Sequence, residues 1–193
     1  MQGPFQRAVA SLRPRNTSTC SVVGPFIDAE KELPMPLPLV MKTNAFEDGG
    51  VVPPRYSCFG DNVQPEFVFQ NVPENAASLA LLCHDVDVAL DGSPEDGVHW
   101  TVWNIPPDEG GLPEGRLPPG AVAGRNVDNR NAYLGPGAPP GPRYHHYVFE
   151  LFALDRELEL PRSAGRAELL SAMNGHVIDK AAYVGRFRRE RVN

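Results

Sequence analysis

Three groupings of residues in this sequence could do acid–base or anion chemistry. The first is His84-Asp85-Val86-Asp87, which directly follows the apolar run Ser78 to Cys83. A strand ending there would hold these residues at the border with solvent. If the strand continues, Asp85 and Asp87 share a side, because side chains repeat with period two. Such a carboxylate pair could bind a metal, orient a histidine or serve as a base; a solvated turn is the alternative. The second is His99, immediately ahead of Trp100-Thr101-Val102-Trp103-Asn104-Ile105, where a histidine is either a ligand or a structural residue. The third is Gly135-Pro136-Gly137-Ala138-Pro139-Pro140-Gly141, closing on Arg143-Tyr144-His145-His146-Tyr147. Glycines let backbone N–H groups come close to an anion, prolines stiffen the approach, and imidazole and phenol groups can donate hydrogen bonds. The run reads as an anion cradle or as a rigid loop with no ligand.

These residues need strands to position them, and the pattern supplies strands. Phe67-Val68-Phe69 is short and bracketed by turn residues, while Ser78 to Cys83 is a continuous apolar run suited to a strand buried on both faces. Trp100 to Ile105 and Tyr147 to Leu154 are rich in β-branched and aromatic residues. One helix is expected over Ala167 to Met173, packing by a stripe of Leu169, Leu170, Met173 and Val177 and stopped by Asn174-Gly175. Ala181 to Phe187 reads as a closing strand. The Gly- and Pro-dense stretch between Pro106 and Pro142 is longer than a compact domain carries without purpose, so it is a functional loop or a disordered insertion.

Composition narrows the class. A chain of 193 residues buries one sizeable core. The chain has 21 prolines, and their spread through 34–142 argues against a helical bundle there and favours strands and loops. Residues 1–40 lack sustained periodicity and form an N-terminal extension, either a mobile tail or an ordered arm, ahead of a domain over 41–190. The net charge of −6 would repel a nucleic acid unless basic residues cluster, and the one dense cluster, Arg186, Arg188, Arg189 and Arg191, reads as a solvated terminus. No stretch approaches the roughly 18 apolar residues needed for a membrane span. No signal peptide is read, and Cys20, Cys58 and Cys83 suggest neither a disulfide framework nor a zinc site. A cytoplasmic protein without cofactor or metal is expected.

Taken in order, the motifs resemble the phosphatidylethanolamine-binding protein family, in its bacterial, Raf-kinase-inhibitor-like branch. They are Tyr56-Ser57-Cys58-Phe59-Gly60-Asp61-Asn62 with Pro65, Val72-Pro73, Asp85-x-Asp87, His99-Trp100-x-Val102-x-Asn104-Ile105-Pro106 and Leu112-Pro113-Glu114-Gly115. Gly124-Arg125-Asn126, Tyr133-x-Gly135-Pro136, Pro139-Pro140-Gly141, His145-x-Tyr147 and Asn174-Gly175-His176-Val177 follow. The resemblance runs from about residue 42 to residue 189. It implies a mainly β fold, a β-sandwich with a few peripheral helices, and a small pocket built from Asp85 and His99 on one side and Gly135, Pro139, His145 and Tyr147 on the other. The pocket of the family accepts phosphate-like and carboxylate-like anions, phosphoryl head groups among them.

On that resemblance Asp85 would hold one imidazole by a hydrogen bond, and an anion would draw His99 and His145 toward their protonated forms. The chain departs from the family where Asp-Pro-Asp-Ala-Pro becomes Asp85-Val86-Asp87-Val88-Ala89, where Cys-Asp-Gly becomes Cys58-Phe59-Gly60, and where His-Arg-Tyr becomes His145-His146-Tyr147. The last change removes a permanent cation. The leading expectation is a soluble binding protein for a small anion, of kinase- or protease-inhibitor-like character, with no catalytic residues. The alternative is a hydrolase or metal-dependent enzyme using Asp85, Asp87, His99 and His145. A third reading has the surface, not the pocket, meet a partner. A protein partner and a homodimer are left open.

Overall fold

The computed structural model describes residues 37–108 and 110–190. The expected extension therefore lies, as far as residue 36, outside the described residues. From Leu39 onward the chain is already part of the core, with Leu39 buried.

Among the described residues two sheets form the architecture. The smaller holds β1 (Val40–Lys42), β3 (Phe67–Gln70) and β6 (Gly111–Leu112) in the order β1-β3-β6. The larger holds β2 (Gly50–Val51), β4 (Ser78–Asp85), β5 (Gly97–Ile105), β7 (Val122–Ala123), β8 (His145–Leu154) and β9 (Val177–Phe187), in the order β2-β9-β8-β4-β5-β7. Within it β4 lies antiparallel between β5 and β8, so neither of its edges meets water, and all eight of its residues are buried. That is why its sequence is apolar without alternation.

One face of the large sheet packs on the small sheet. Leu79, Leu81, Cys83, Trp100, Val102, Phe149 and Leu151 meet Met41, Phe67, Phe69 and Leu112 there. The opposite face carries Ala80, Leu82, Trp103, Phe152 and Leu154, covered by Leu158 and by Leu169 and Met173 of α1 (Arg166–Met173). Among the described residues the fold is mostly β with one α-helix, and the sandwich description fits it.

The elements differ from expectation at their edges. In α1 only Leu169 and Met173 are buried, whereas Leu170 is exposed and Val177 already begins β9. The chain reverses at Gly175, whose φ of 82° lies in the left-handed region that glycine adopts without strain, so the stripe cannot extend past the helix end. The stretch 106–142 carries β6 and β7, and Tyr133 and Ala138 within it are buried against the sandwich.

Candidate functional site

The candidate site lies at one end of the large sheet, where β4 stops. Asp85 is the last residue of β4, with Gly97 of β5 as its register partner on one side and Tyr147 of β8 on the other. Partners across a sheet point to the same face, and residues two apart on a strand share a face. Tyr147 therefore brings His145 onto Asp85's side.

His99 reaches this face through an irregularity. The β4–β5 register runs Cys83 to Trp100 and then His84 to Val98, which leaves His99 without a partner on β4. An extra residue of this kind re-aims a side chain that strict alternation would send to the other face. His99 accordingly meets Tyr147 edge to face, with ring centroids 4.9 Å apart and planes at 85°. Trp100 joins the same core as Tyr147, and its ring meets Tyr133 edge to face.

Asp85, His99 and Tyr147 are 2%, 7% and 0% exposed. Asp85 holds His145 and not His99: Nδ1 of His145 is 2.9 Å from Oδ2 of Asp85, while Oδ1 accepts the Asp87 backbone N–H at 3.0 Å. His99 turns its Nδ1 to the Leu134 carbonyl oxygen at 2.9 Å. A carbonyl can only accept, so Nδ1 carries the hydrogen and Nε2 is the nitrogen left for a ligand. Burial pushes the pKa of His99 down, against the opposing pull of the Leu134 carbonyl and the Asp85 charge. Burial, with the Asp85 carboxylate adding to it, pushes the Tyr147 hydroxyl far above its usual range, so the phenol stays neutral.

Gly97 is the residue the motif reading missed. A β-carbon there would stand 3.7 Å from Cβ of Asp85 and 3.8 Å from Cδ2 and Nε2 of His99. Glycine thus leaves unfilled the place of a side-chain carbon beside Nε2 of His99. No one-dimensional motif marks it; its pairing with Asp85 does.

The loop glycines act differently from the expected cradle. Gly135 donates its N–H to Oδ1 of Asn62 at 2.7 Å, Gly137 to the hydroxyl of Tyr147 at 3.2 Å, and Gly141 to the Arg189 carbonyl at 2.9 Å. Each N–H already has a partner inside the protein. Gly135 is glycine because a β-carbon would fall 2.2 Å from the Tyr56 carbonyl oxygen. The loop is a packed wall, with Pro139 exposed on it beside the buried Ala138.

Asp87 does not continue the strand. It lies in the turn after β4, its carboxylate accepting from the backbone N–H of His146 at 2.7 Å and from Nδ1 of His146 at 2.8 Å, and pairing with Arg143. Burial raises its pKa, but the His146 bonds and Arg143 prevail and hold it at about 2. Arg143 thus brings a permanent cation to this edge although position 146 is histidine. With Asp87 engaged outward, Asp85, Asp87, His99 and His145 do not form one ligand set. Among the described residues no group of three or more His, Cys, Asp or Glu side chains is placed to share a metal ion.

His84 points away from all of this, on the helix-covered face. Its Nδ1 is 2.6 Å from Asp96, which also pairs with Arg166, and its Nε2 is 3.4 Å from Glu150. Burial pushes its pKa down, yet the carboxylates Glu150 and Asp96 prevail and the net shift is upward.

A family model described as phosphatidylethanolamine-binding protein matches residues 42–188. The UPF0098 protein of Methanothermobacter thermautotrophicus is 43% identical over 154 residues, which cover 77% of this chain and 98% of that protein. The UPF0098 protein of Pyrococcus abyssi is 36% identical over 159 residues, covering 79% and 86%. Among solved structures, CT736 of Chlamydia trachomatis, a phosphatidylethanolamine-binding protein homologue, superposes with a TM-score of 0.73 at 32% identity over 79% of this chain and 99% of that one. YbcL of E. coli, described as a member of the mammalian PEBP family, superposes with a TM-score of 0.71 at 29% identity over 80% and 100%.

Proposed function

The chain belongs to the phosphatidylethanolamine-binding protein family, and on that premise we propose that it binds a small anion, a phosphate, carboxylate or phosphoryl head group, at the Asp85, His99, His145 and Tyr147 cluster. One observation carries the reading. Two imidazoles from different strands are each held at Nδ1 by an acceptor, His145 by Asp85 and His99 by Leu134, so both leave Nε2 for a ligand. Gly97 keeps the neighbouring space clear. An anion arriving there would meet His99 in its neutral form and favour its protonation, which turns Nε2 into a charged donor. Binding would therefore take up a proton, or select a ligand that carries its own acidic hydrogen.

On this reading the protein acts by holding its ligand, and an inhibitor-like role toward a kinase or protease is how that holding would act on another protein. A reducing cytoplasmic setting is part of the proposal, and the free thiols of Cys58 and Cys83 support it. The test is calorimetric titration with phosphate, O-phosphorylethanolamine and acetate, alongside His99→Ala and His145→Ala. Saturable binding that both variants weaken is the expected result. No binding of any of the three anions by the unaltered protein would remove the proposal.

A further inference from the structure

Of the arginines expected to form a solvated terminus, Arg186, Arg188 and Arg189 are built into the fold, and Arg191 lies outside the described residues. Arg186 lies in β9 opposite His146 of β8, and Phe187 opposite His145. Beyond β9 the chain continues beside the 135–141 loop, through a parallel bridge between Pro140 and Arg189 and the bond from Gly141 N–H to the Arg189 carbonyl. The guanidinium carbons of Arg186 and Arg188 stand 5.3 and 4.8 Å from the centroid of the Tyr144 ring. That of Arg189 stands 4.5 Å from the Phe59 ring, which stacks on Phe187 at 6.4 Å.

Three guanidiniums are thus held on two aromatic rings with little to neutralise them. Arg188 reaches Glu190 at 3.7 Å, but Glu190 is 84% exposed, and a pair in that much water contributes little. Among the described residues no carboxylate lies within 4.0 Å of Arg186 or Arg189, and the buried Nε of Arg186 has no hydrogen-bond partner. Like charges gathered this way repel one another, and the ring faces offset only part of that. On a chain of net charge −6 this is a local excess of positive charge. A guanidinium held over a ring has already lost part of its rotamer freedom, so it meets a carboxylate with less to order.

We propose that this surface, Tyr144 and Phe59 with Arg186, Arg188 and Arg189, docks an acidic peptide segment of a partner protein. The segment would run along the open groove of about 460 Å³ lined by Gly141, Pro142, Arg188 and Glu190. Charge complementarity favours a peptide over a lipid surface. A short segment touches only this basic end, whereas an extended anionic bilayer would also face the acidic remainder of a chain whose net charge is −6. Phe59 is 52% exposed but capped by Arg189, which leaves little apolar surface to insert. The inference does not depend on the anion pocket, because the arginines belong to neither imidazole's set of bonds.

Fluorescence anisotropy of a labelled oligoglutamate peptide on the full chain tests it, with oligoglutamine as the neutral control and phosphatidylglycerol-containing vesicles as the lipid arm. Oligoglutamate should bind, oligoglutamine should not, and affinity should fall as salt rises. The double variant Arg188→Gln, Arg189→Gln should lose about tenfold or more in affinity, while still binding phosphate. The pair Arg188→Lys, Arg189→Lys, which keeps charge but not the fork, should fall between. His145→Ala should leave the peptide bound. Absence of oligoglutamate binding, equal binding by the double glutamine variant at an unchanged circular dichroism spectrum, displacement by phosphate at constant ionic strength, or binding to vesicles alone would each overturn the proposal.

Discussion

The Nδ1 atom of His145 stands 2.9 Å from Oδ2 of Asp85, and Asp85 is itself the register partner of Tyr147. One buried carboxylate therefore ties β4 to two residues of β8 that share a face. Its other oxygen accepts the Asp87 N–H, so the same side chain also closes the turn that follows β4.

Replacing Asp85 by alanine removes both bonds and leaves the half-buried Nδ1 of His145 and the Asp87 N–H without partners. Buried donors left unpaired cost about 1–3 kcal/mol. The melting temperature should fall by roughly 2–12 °C for a chain of this size. Calorimetry of the variant beside His145→Ala checks this, and the smaller loss should belong to His145→Ala, which keeps the turn.

Anion affinity should depend on proton uptake at His99. Its pKa is depressed in the free protein, so the ring is neutral above the ordinary imidazole value of about 6.5. Acetate, which keeps its own charge, should bind more tightly at about pH 6 than at about pH 8. Titrations in buffers of different ionisation enthalpy should show protons taken up, and His99→Ala should abolish the uptake. Affinity independent of pH would remove the role given to His99.

Gly97→Ala should fold and yet bind poorly. The added methyl makes ordinary contacts with Asp85 and His99 at 3.7 and 3.8 Å, so no backbone needs to move. It fills the space beside Nε2 of His99, and phosphate affinity should drop by about tenfold. Thermal unfolding and phosphate titration together separate this from general damage.

Gly135→Ala should behave in the opposite way. Its methyl would fall 2.2 Å from the Tyr56 carbonyl oxygen and 2.6 Å from the carbonyl carbon of Ser57. Backbone must shift, and overpacking of this sort costs about 1–3 kcal/mol. The loss should appear in urea denaturation whether or not ligand is present.

His84 should make stability depend on pH without touching the anion site. Its pKa in the folded protein is raised, so its contribution is fully present below the unfolded value of about 6.5 and is lost as pH rises through the raised value. His99, with a depressed pKa, works the other way: its contribution is present above about 6.5 and is lost as pH falls. Urea midpoints followed across that range should lose the alkaline decline in His84→Gln, and phosphate binding should be unchanged.

Much of this molecule was legible from residue order. The unbroken apolar run of β4 and the aromatic and β-branched residues of β5 and β8 mark strands because burial demands them locally. Asp85, His99, His145 and Tyr147 stood out as groups able to do acid–base chemistry near strand ends. Their convergence was implied by the family resemblance and not by the local pattern, since it depends on pairing between segments up to 62 residues apart. The displaced register that turns His99 toward Tyr147, the glycine opposite Asp85, the capture of Asp87 by Arg143 and His146, and the commitment of the loop's N–H groups all follow from that pairing. The stacking of the terminal arginines on Tyr144 and Phe59 is of the same kind. Hydrophobic pattern and composition depend on a residue and its near neighbours, whereas the face a side chain takes in a sheet changes with a one-residue slip of register. The sequence alone determined which strands form and which chemical groups are available; only the tertiary structure decided which of those groups meet.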